Sequence, residues 1–553
     1  MTKSQSDYEA ALAAIRESGL EHPDGPLLES FVEQFADHDR AAAYLLNLNT
    51  NTHMPDLRAF VEEWKRIIAI FMRNTVSEAP DKHVIDSVTK RDGGKCCITG
   101  TPGSFWDPLV IVPILPRIEP ANVATRSCRE ILDAFLTPKL KDWLLSESAE
   151  GKLFDRVENH WLVRKSAATA FAQGYFQLSF GKGSEYYEVL KNWTGGPHFP
   201  SILDEVDDFR PATFANHPSS NIKIPSRSNL EILSHFATPA RWMYVSRHIA
   251  AKRLRQCRTS PPSPFSSILT CLSQTSATIM RTIWLYVPGS IRIRTYRGLA
   301  SVGARIFGVT DSPNVQQLPF GLYLKMVNLA TRGESLVNEY AALELVRRYS
   351  DLPVPRALDL VSDSSDIYLL TTRIPGHKLG LCLDSMSDHD TTILVDDLRR
   401  HLAALREIPR PQAWKYAIAN AAGGPCFDYR INAAQDDNVE AGFVGPFLNE
   451  HDFNETLRCG AVPEVVHHGG HRMVFTHGDV NMRNVLVDDD GKLSGVVDWE
   501  NAGWFPEYWD YTKAFFVTRH NSRWLGIVEE VFGHFGNFQG ELATERELWN
   551  YCF

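Results

Sequence analysis

Apolar and polar positions along this chain follow two rhythms, and each predicts a different element. From 60 to 74, FVEEWKRIIAIFMRN sets Phe60, Trp64, Ile67, Ile68 and Phe71 on one face at helical spacing, the pattern of an amphipathic helix. Residues 1 to about 80 read as mainly helical on the same criterion, starting with a short amphipathic helix in MTKSQSDYEAALAAIRESGLEHPDG. A second rhythm enters with GLYLKMVNLATRGESLVNEYAALELVRRY. Alternation around Leu322, Leu324 and Met326 predicts a strand carrying Lys325, and helical spacing from Leu336 to Arg348 predicts a helix carrying Glu339. Ile367 to Leu370 then form an apolar strand that runs into Thr371, Thr372, Arg373 and a Pro375-Gly376 break. Finally, Val485 to Val487 and Leu493 to Val497 flank the polar turn Asp488-Asp489-Asp490-Gly491, which predicts a hairpin.

The chemistry lies around that hairpin. VFTHGDVNMRNVLVDDDGKLSGVVDWE, residues 474–500, holds Asp479, Asn484 and Asp498 at spacings of five and fourteen. Phosphoryl transfer asks for this set: an Asp beside the attacking hydroxyl, an Asn five residues later on a metal ion, and a second Asp on a following strand-turn that holds Mg²⁺. Asp479 is the expected proton acceptor, and Asn484 and Asp498 are the expected metal ligands, because hard oxygen donors suit Mg²⁺ bridging nucleotide phosphates. His477 is expected to buttress the loop by hydrogen bonding. The upstream cationic clamp is Lys325 paired with Glu339. Gly303 and Gly308 are the candidates for a turn over the phosphates, although no G-x-G-x-x-G and no G-x-x-x-x-G-K-[ST] occurs here. Thr372 and Arg373 fall where a hinge would contact adenine through backbone groups.

With those residues in view, 291–553 resembles the aminoglycoside phosphotransferase and choline kinase-like family. Its HGDxxxxN and later D-W or D-F elements match His477-Gly478-Asp479 with Asn484, and Asp498-Trp499-Glu500. The segments 502–516 and 445–457 are similar to fungal members of that family. The resemblance implies a bilobal protein-kinase-like domain, ATP with Mg²⁺ as cofactors, and γ-phosphate transfer to the hydroxyl of a small molecule. The expected class is α+β, with a β-rich N-lobe over 291–373 and a helical C-lobe over 374–553. Glu500, Trp504, Glu507 and Asp510, with Asp436, Asp437 and Glu440, are candidate contacts for a cationic acceptor, with core packing or helix capping as the other reading of each.

The first half reads as a different module. RDGGKCCITGTPGSFWDPLVIVPILP at 91–116 and ENHWLVRKSAATAFAQGYFQL at 158–178 resemble fungal HNH-nuclease-like domains, keeping Arg91-Asp92, Cys97, Thr99-Gly100, Asn159 and Phe171. Val110 and Ala168 stand where that pattern has its histidines, and neither side chain can activate water or bind a divalent ion. The implied module, 81–255, is therefore expected to be a degenerate HNH-like domain without nuclease activity. RTSPPSPFSS at 258–267 marks a linker, and 256–290 is expected to be linker and connecting helix.

Composition narrows the remaining classes. Of 553 residues, 44% are hydrophobic and 22% charged, which is ordinary for a globular protein. A net charge of −10 gives no general electrostatic reason to bind nucleic acid. Nine dispersed cysteines without CxxC spacing argue against a disulfide framework, and the N-terminus lacks an apolar signal region, so a cytoplasmic location is expected. The stretch 268–289 contains Gln274 and Arg281, so no membrane span is expected. His467, His468 and His471 read as part of a Gly-rich loop rather than a metal site. Two function classes follow: an active small-molecule kinase, or a pseudokinase or interaction protein that keeps the pocket for binding only. The sequence leaves the acceptor and oligomeric state open.

Overall fold

The Trp64 face predicted above is the centre of the first of two structural units. The computed structural model describes residues 6–549 apart from 35–37, 51–56, 74, 77–79, 119, 124, 150–154, 181–185, 207–210, 214–221, 257–280, 309, 311, 433–441 and 459–463. Unit 1 comprises residues 1–258 with 383–388, and unit 2 comprises 259–382 with 389–553. The expected linker sequence at 258–267 lies outside the described residues.

In unit 1, helix Leu57–Phe71 buries Phe60, Trp64, Ile67, Ile68 and Phe71. Trp64 meets Phe31 and Phe135 edge-on, and Phe71 stacks on Phe236 with ring centroids 4.6 Å apart. One continuous core runs from Ala11 to Met243, so the first 80 residues pack into the module that follows them. There, strands Leu109–Pro113 and His160–Arg164 pair antiparallel and lead into helix Lys165–Ala172. Arg91 and Asp92 form a buried ion pair; the Arg91 guanidinium donates to the carbonyl of His160, and Asp92 accepts the Leu162 N–H. Asn159 both donates to and accepts from the Leu115 backbone. These polar residues therefore pin the strand-strand-helix arrangement. Val110 lies in the first strand and Ala168 in the helix, with no metal-binding group at either position.

Unit 2 begins with an antiparallel sheet in the spatial order Val315–Leu318, Leu322–Asn328, Asp366–Thr372, Ala357–Ser362. Helix Gly289–Phe307 packs on it through Ile293 and Tyr296, whose hydroxyl donates to Asp359. Helix Leu329–Tyr349 follows the Lys325 strand directly, its start fixed by the Asn328 side chain accepting from the amides of Ala330 and Thr331. Leu336, Glu339, Leu343 and Val346 all lie on its buried face, which carries Glu339 inward. Among the described residues, the remainder is mainly helical, with two small three-stranded sheets and a two-stranded one, Cys426–Phe427 with Phe443–Val444. Val485–Val487 and Leu493–Val496 form the predicted hairpin, and Met473–Thr476 pairs with Gly503–Pro506. The mixed helix and strand content agrees with the expected class. Among the described residues, no helix is long and apolar enough to cross a membrane.

Candidate active site

The segment 477–484 connects strands Met473–Thr476 and Val485–Val487, and short polar contacts fix it from several sides. Gly478 has φ +79°, and a Cβ there would lie 2.4 Å from the Asn501 carbonyl oxygen, so glycine is required both for conformation and for space. Asp510, on helix Trp509–Val517, accepts the Gly478 N–H at 2.7 Å and the His477 N–H at 3.3 Å. His477 is fully buried against Trp499. One of its ring nitrogens, Nε2, faces the Val497 carbonyl, which can only accept, and the other, Nδ1, faces the Asp479 N–H, which can only donate. The ring is therefore neutral with the proton on Nε2, and burial lowers its pKa. Its contacts match the buttressing role read from the sequence.

Asp479 and Asn484 are brought together. Asn484 Nδ2 donates to both the Asp479 carbonyl and Asp479 Oδ2, each at 2.9 Å. This orientation leaves Asn484 Oδ1 as the oxygen available to a metal ion. Burial pushes the Asp479 carboxyl up to about 6, against the pull of Lys513 and with the charges of Asp498 and Asp428 adding to the rise.

Lys325, Glu339 and Asp498 also converge. Lys325 Nζ lies 2.7 Å from Glu339 Oε2 and 2.5 Å from Asp498 Oδ1. Burial disfavours the ammonium charge, but Asp498, Glu339 and Glu500 outweigh it and hold Lys325 well above the ordinary lysine range. Burial likewise opposes charge on Asp498, yet Lys325 keeps its carboxyl below the usual range, ionised and fit to hold a cation. Asp498 has φ +70°, a left-handed conformation that Asp tolerates better than most residues and that re-aims the chain after strand Leu493–Val496. A carboxylate and an amide oxygen form a hard donor set suited to Mg²⁺.

Other expected positions fall elsewhere. Gly303 is inside helix Gly289–Phe307, and Gly308 is the residue that ends it. A Cβ on Gly303 would lie 2.0 Å from the Gln317 carbonyl oxygen, so this glycine serves close helix-to-strand approach. The turn beside the Lys325 strand is instead made by Pro319, Phe320 and Gly321, the last two at positive φ. Helical spacing across 289–307 outcompetes a turn there. The strand runs on to Thr372, two residues beyond the expected end, and Arg373 follows it; their N–H groups already donate to Arg356 O at 3.1 Å and Gly321 O at 2.8 Å. Of the backbone groups expected to meet adenine, these two N–H donors are thus committed within the fold.

The acidic candidates for a cationic acceptor also find partners. Trp504 is core, Asp510 holds the loop, Glu500 pairs with Arg332 at 2.7 Å, and Glu507 pairs with Arg472 at 3.4 Å. Asp436, Asp437 and Glu440 lie outside the described residues. His471 sits between Glu450 and Glu541, and His467 is buried against Glu545, so these rings are held by hydrogen bonds to carboxylates. Three contributors were not assigned from sequence: Asn338, whose side chain ties Ala421 to the Glu500 and Ala502 carbonyls, and the buried pair Lys513 and Asp428 at 2.5 Å. Asp510 and Lys513, three residues apart in the apolar run YWDYTKAFF, were the available signal.

With this geometry established, residues 321–544 match the model of the phosphotransferase enzyme family (APH). The C-terminal half carries a domain of that family. The chain is similar to an aminoglycoside 3'-phosphotransferase of Escherichia coli, 27% identical over 213 residues that span 37% of this chain and 69% of that protein. An aminoglycoside 3'-phosphotransferase of Salmonella typhimurium matches with the same identity and coverage. Among solved structures, APH(3'')-Id from Streptomyces rimosus aligns at 18% identity over 46% of this chain and 97% of that one, with a TM-score of 0.31.

Proposed function

We propose that unit 2 is an ATP-dependent kinase that transfers the γ-phosphate to a hydroxyl of a small molecule. The observation that carries this reading is the convergence of Glu339 and Asp498 on Lys325 Nζ, together with Asn484 bonded to Asp479. In this reading, Lys325 holds the nucleotide's inner phosphates and Glu339 keeps that lysine in place. Asn484 Oδ1 and the Asp498 carboxylate would hold Mg²⁺, which would supply positive charge to offset that of the phosphates. Asp479 accepts the proton of the acceptor hydroxyl as its oxygen bonds to the γ-phosphorus, and the bond from phosphorus to the bridging oxygen breaks with its electrons going to ADP. His477 and Asp510 act indirectly by holding the loop. Adenine recognition falls to groups other than the Thr372 and Arg373 amides. The relatives' names make aminoglycosides the first acceptors to test, followed by choline-like amines and neutral sugars.

The test is Mg²⁺-dependent ATP consumption by the full chain, stimulated by an acceptor and read as a phosphorylated product. Nucleotide binding without transfer to any acceptor class would support the binding-only alternative instead. In the same reading, the module at 81–255 is a degenerate HNH-like scaffold held by Arg91, Asp92 and Asn159, with no metal-dependent chemistry at Val110 or Ala168.

A further inference from the structure

We propose that unit 1 contains a second small-molecule site, which takes a phosphate monoester bearing a hydrogen-bond donor. A cavity of about 460 Å³ opens beside the start of helix Arg227–His235, walled by Trp143 and Pro225 and ringed by Arg156, Lys223 and Arg227. That volume falls within the range for small-molecule pockets.

The charge around the cavity favours an anion. Three basic side chains line it against one acidic residue, Glu158, which pairs with Lys223 at 2.9 Å. Arg227 pairs with Glu231, one turn along its helix. The helix start adds to this field, since the first amides of a helix have no intrahelical acceptor and carry partial positive charge. Ser226 Oγ caps the Asn229 amide.

A second observation specifies the rest of the ligand. Asn229 lines the cavity, is 1% exposed, and has a side-chain oxygen, Oδ1, without a hydrogen-bond partner. Its orientation is fixed: Asn229 Nδ2 donates to Asn159 Oδ1 at 2.9 Å, and Asn159 is locked in turn by both backbone groups of Leu115. Reversing the amide would set the Asn229 oxygen against the Asn159 oxygen, two acceptors facing each other. The buried acceptor is therefore built in, and a ligand O–H or N–H completes it. Trp143 supplies a flat apolar wall against which a ring can lie. A sugar phosphate or mononucleotide meets all three requirements.

The test is calorimetric titration of the full chain with ribose 5-phosphate and with inorganic phosphate in metal-free, nucleotide-free buffer, the two substitutions below assigning the binding to unit 1. Ribose 5-phosphate is expected to bind, and Lys223→Gln and Arg227→Gln each to weaken it by about tenfold, the size of one lost charge-assisted contact. Lys223 is 77% exposed, so its replacement leaves the fold intact, as circular dichroism would verify. Inorganic phosphate is expected to bind more weakly; equal affinity would overturn the donor requirement. Absence of ribose 5-phosphate binding at millimolar concentration, or binding that both substitutions leave unchanged, would overturn the site. Neither result bears on phosphotransfer in unit 2.

Discussion

Asp510 Oδ1 accepts the Gly478 N–H at 2.7 Å, which ties a helix of the C-terminal region to the residue before Asp479. Its other oxygen takes the His477 N–H, so one carboxylate serves two consecutive loop amides. Asp510→Asn would replace an acceptor with an NH₂ group facing an N–H. A loss of about 1–3 kcal/mol in stability is expected, the cost of leaving buried polar groups unsatisfied, measured by urea denaturation. Turnover should fall with it while Mg·ATP affinity is retained.

Asp479→Asn keeps the shape and the contacts of the loop but removes the proton acceptor. Turnover is expected to drop by about 10²–10⁴, the usual contribution of general-base catalysis, with an unchanged or higher Tm. Retained turnover would reassign the base.

The pH profile follows from the same carboxyl. With its pKa near 6, Asp479 is protonated below that pH and cannot accept a proton, so kcat/KM should fall about tenfold per pH unit below 6 and level off above it. Lys513 opposes that rise and Asp428 adds to it. Lys513→Met should therefore move the acid limb upward, and Asp428→Asn should move it downward. Shifts in one direction for both variants would contradict the electrostatic assignment.

Legibility from sequence divided along physical lines. The contact between Lys325 and Glu339 was readable because strand alternation and helical spacing each fix which way a side chain points. Asp479, Asn484 and Asp498 were readable because they lie on one short hairpin-bearing segment. The glycine turn was not, since an isolated glycine signals either a turn or a close approach, and only the helix at 289–307 shows that Gly303 does the latter. Lys513 and Asp428 are eighty-five positions apart, so no local pattern announces their pairing.

Gly303 offers a check on that correction. Gly303→Ala would drive a methyl group to 2.0 Å from the Gln317 carbonyl and displace an edge strand, so stability should fall by about 1–3 kcal/mol, as for other overpacked sites. A selective loss of ATP affinity with full stability would instead restore a phosphate-binding role.

Lys325→Met leaves Glu339 and Asp498 without their shared cation. Breaking a buried pair by removing one partner costs about 3–5 kcal/mol, so lower stability and a raised KM for ATP are expected together. Lys325→Met with Glu339→Gln should recover much of the stability but not the KM, a contrast that thermal melts and ATP titration would resolve.

The most direct measurement is product formation by the full chain with radiolabelled ATP, Mg²⁺ and a panel of aminoglycosides, amino alcohols and sugars, run beside Asp479→Asn. Label is expected to pass to at least one acceptor with the native chain and to none with the variant. Equal labelling by the two proteins, or no affinity of the native chain for Mg·ATP, would contradict the kinase reading.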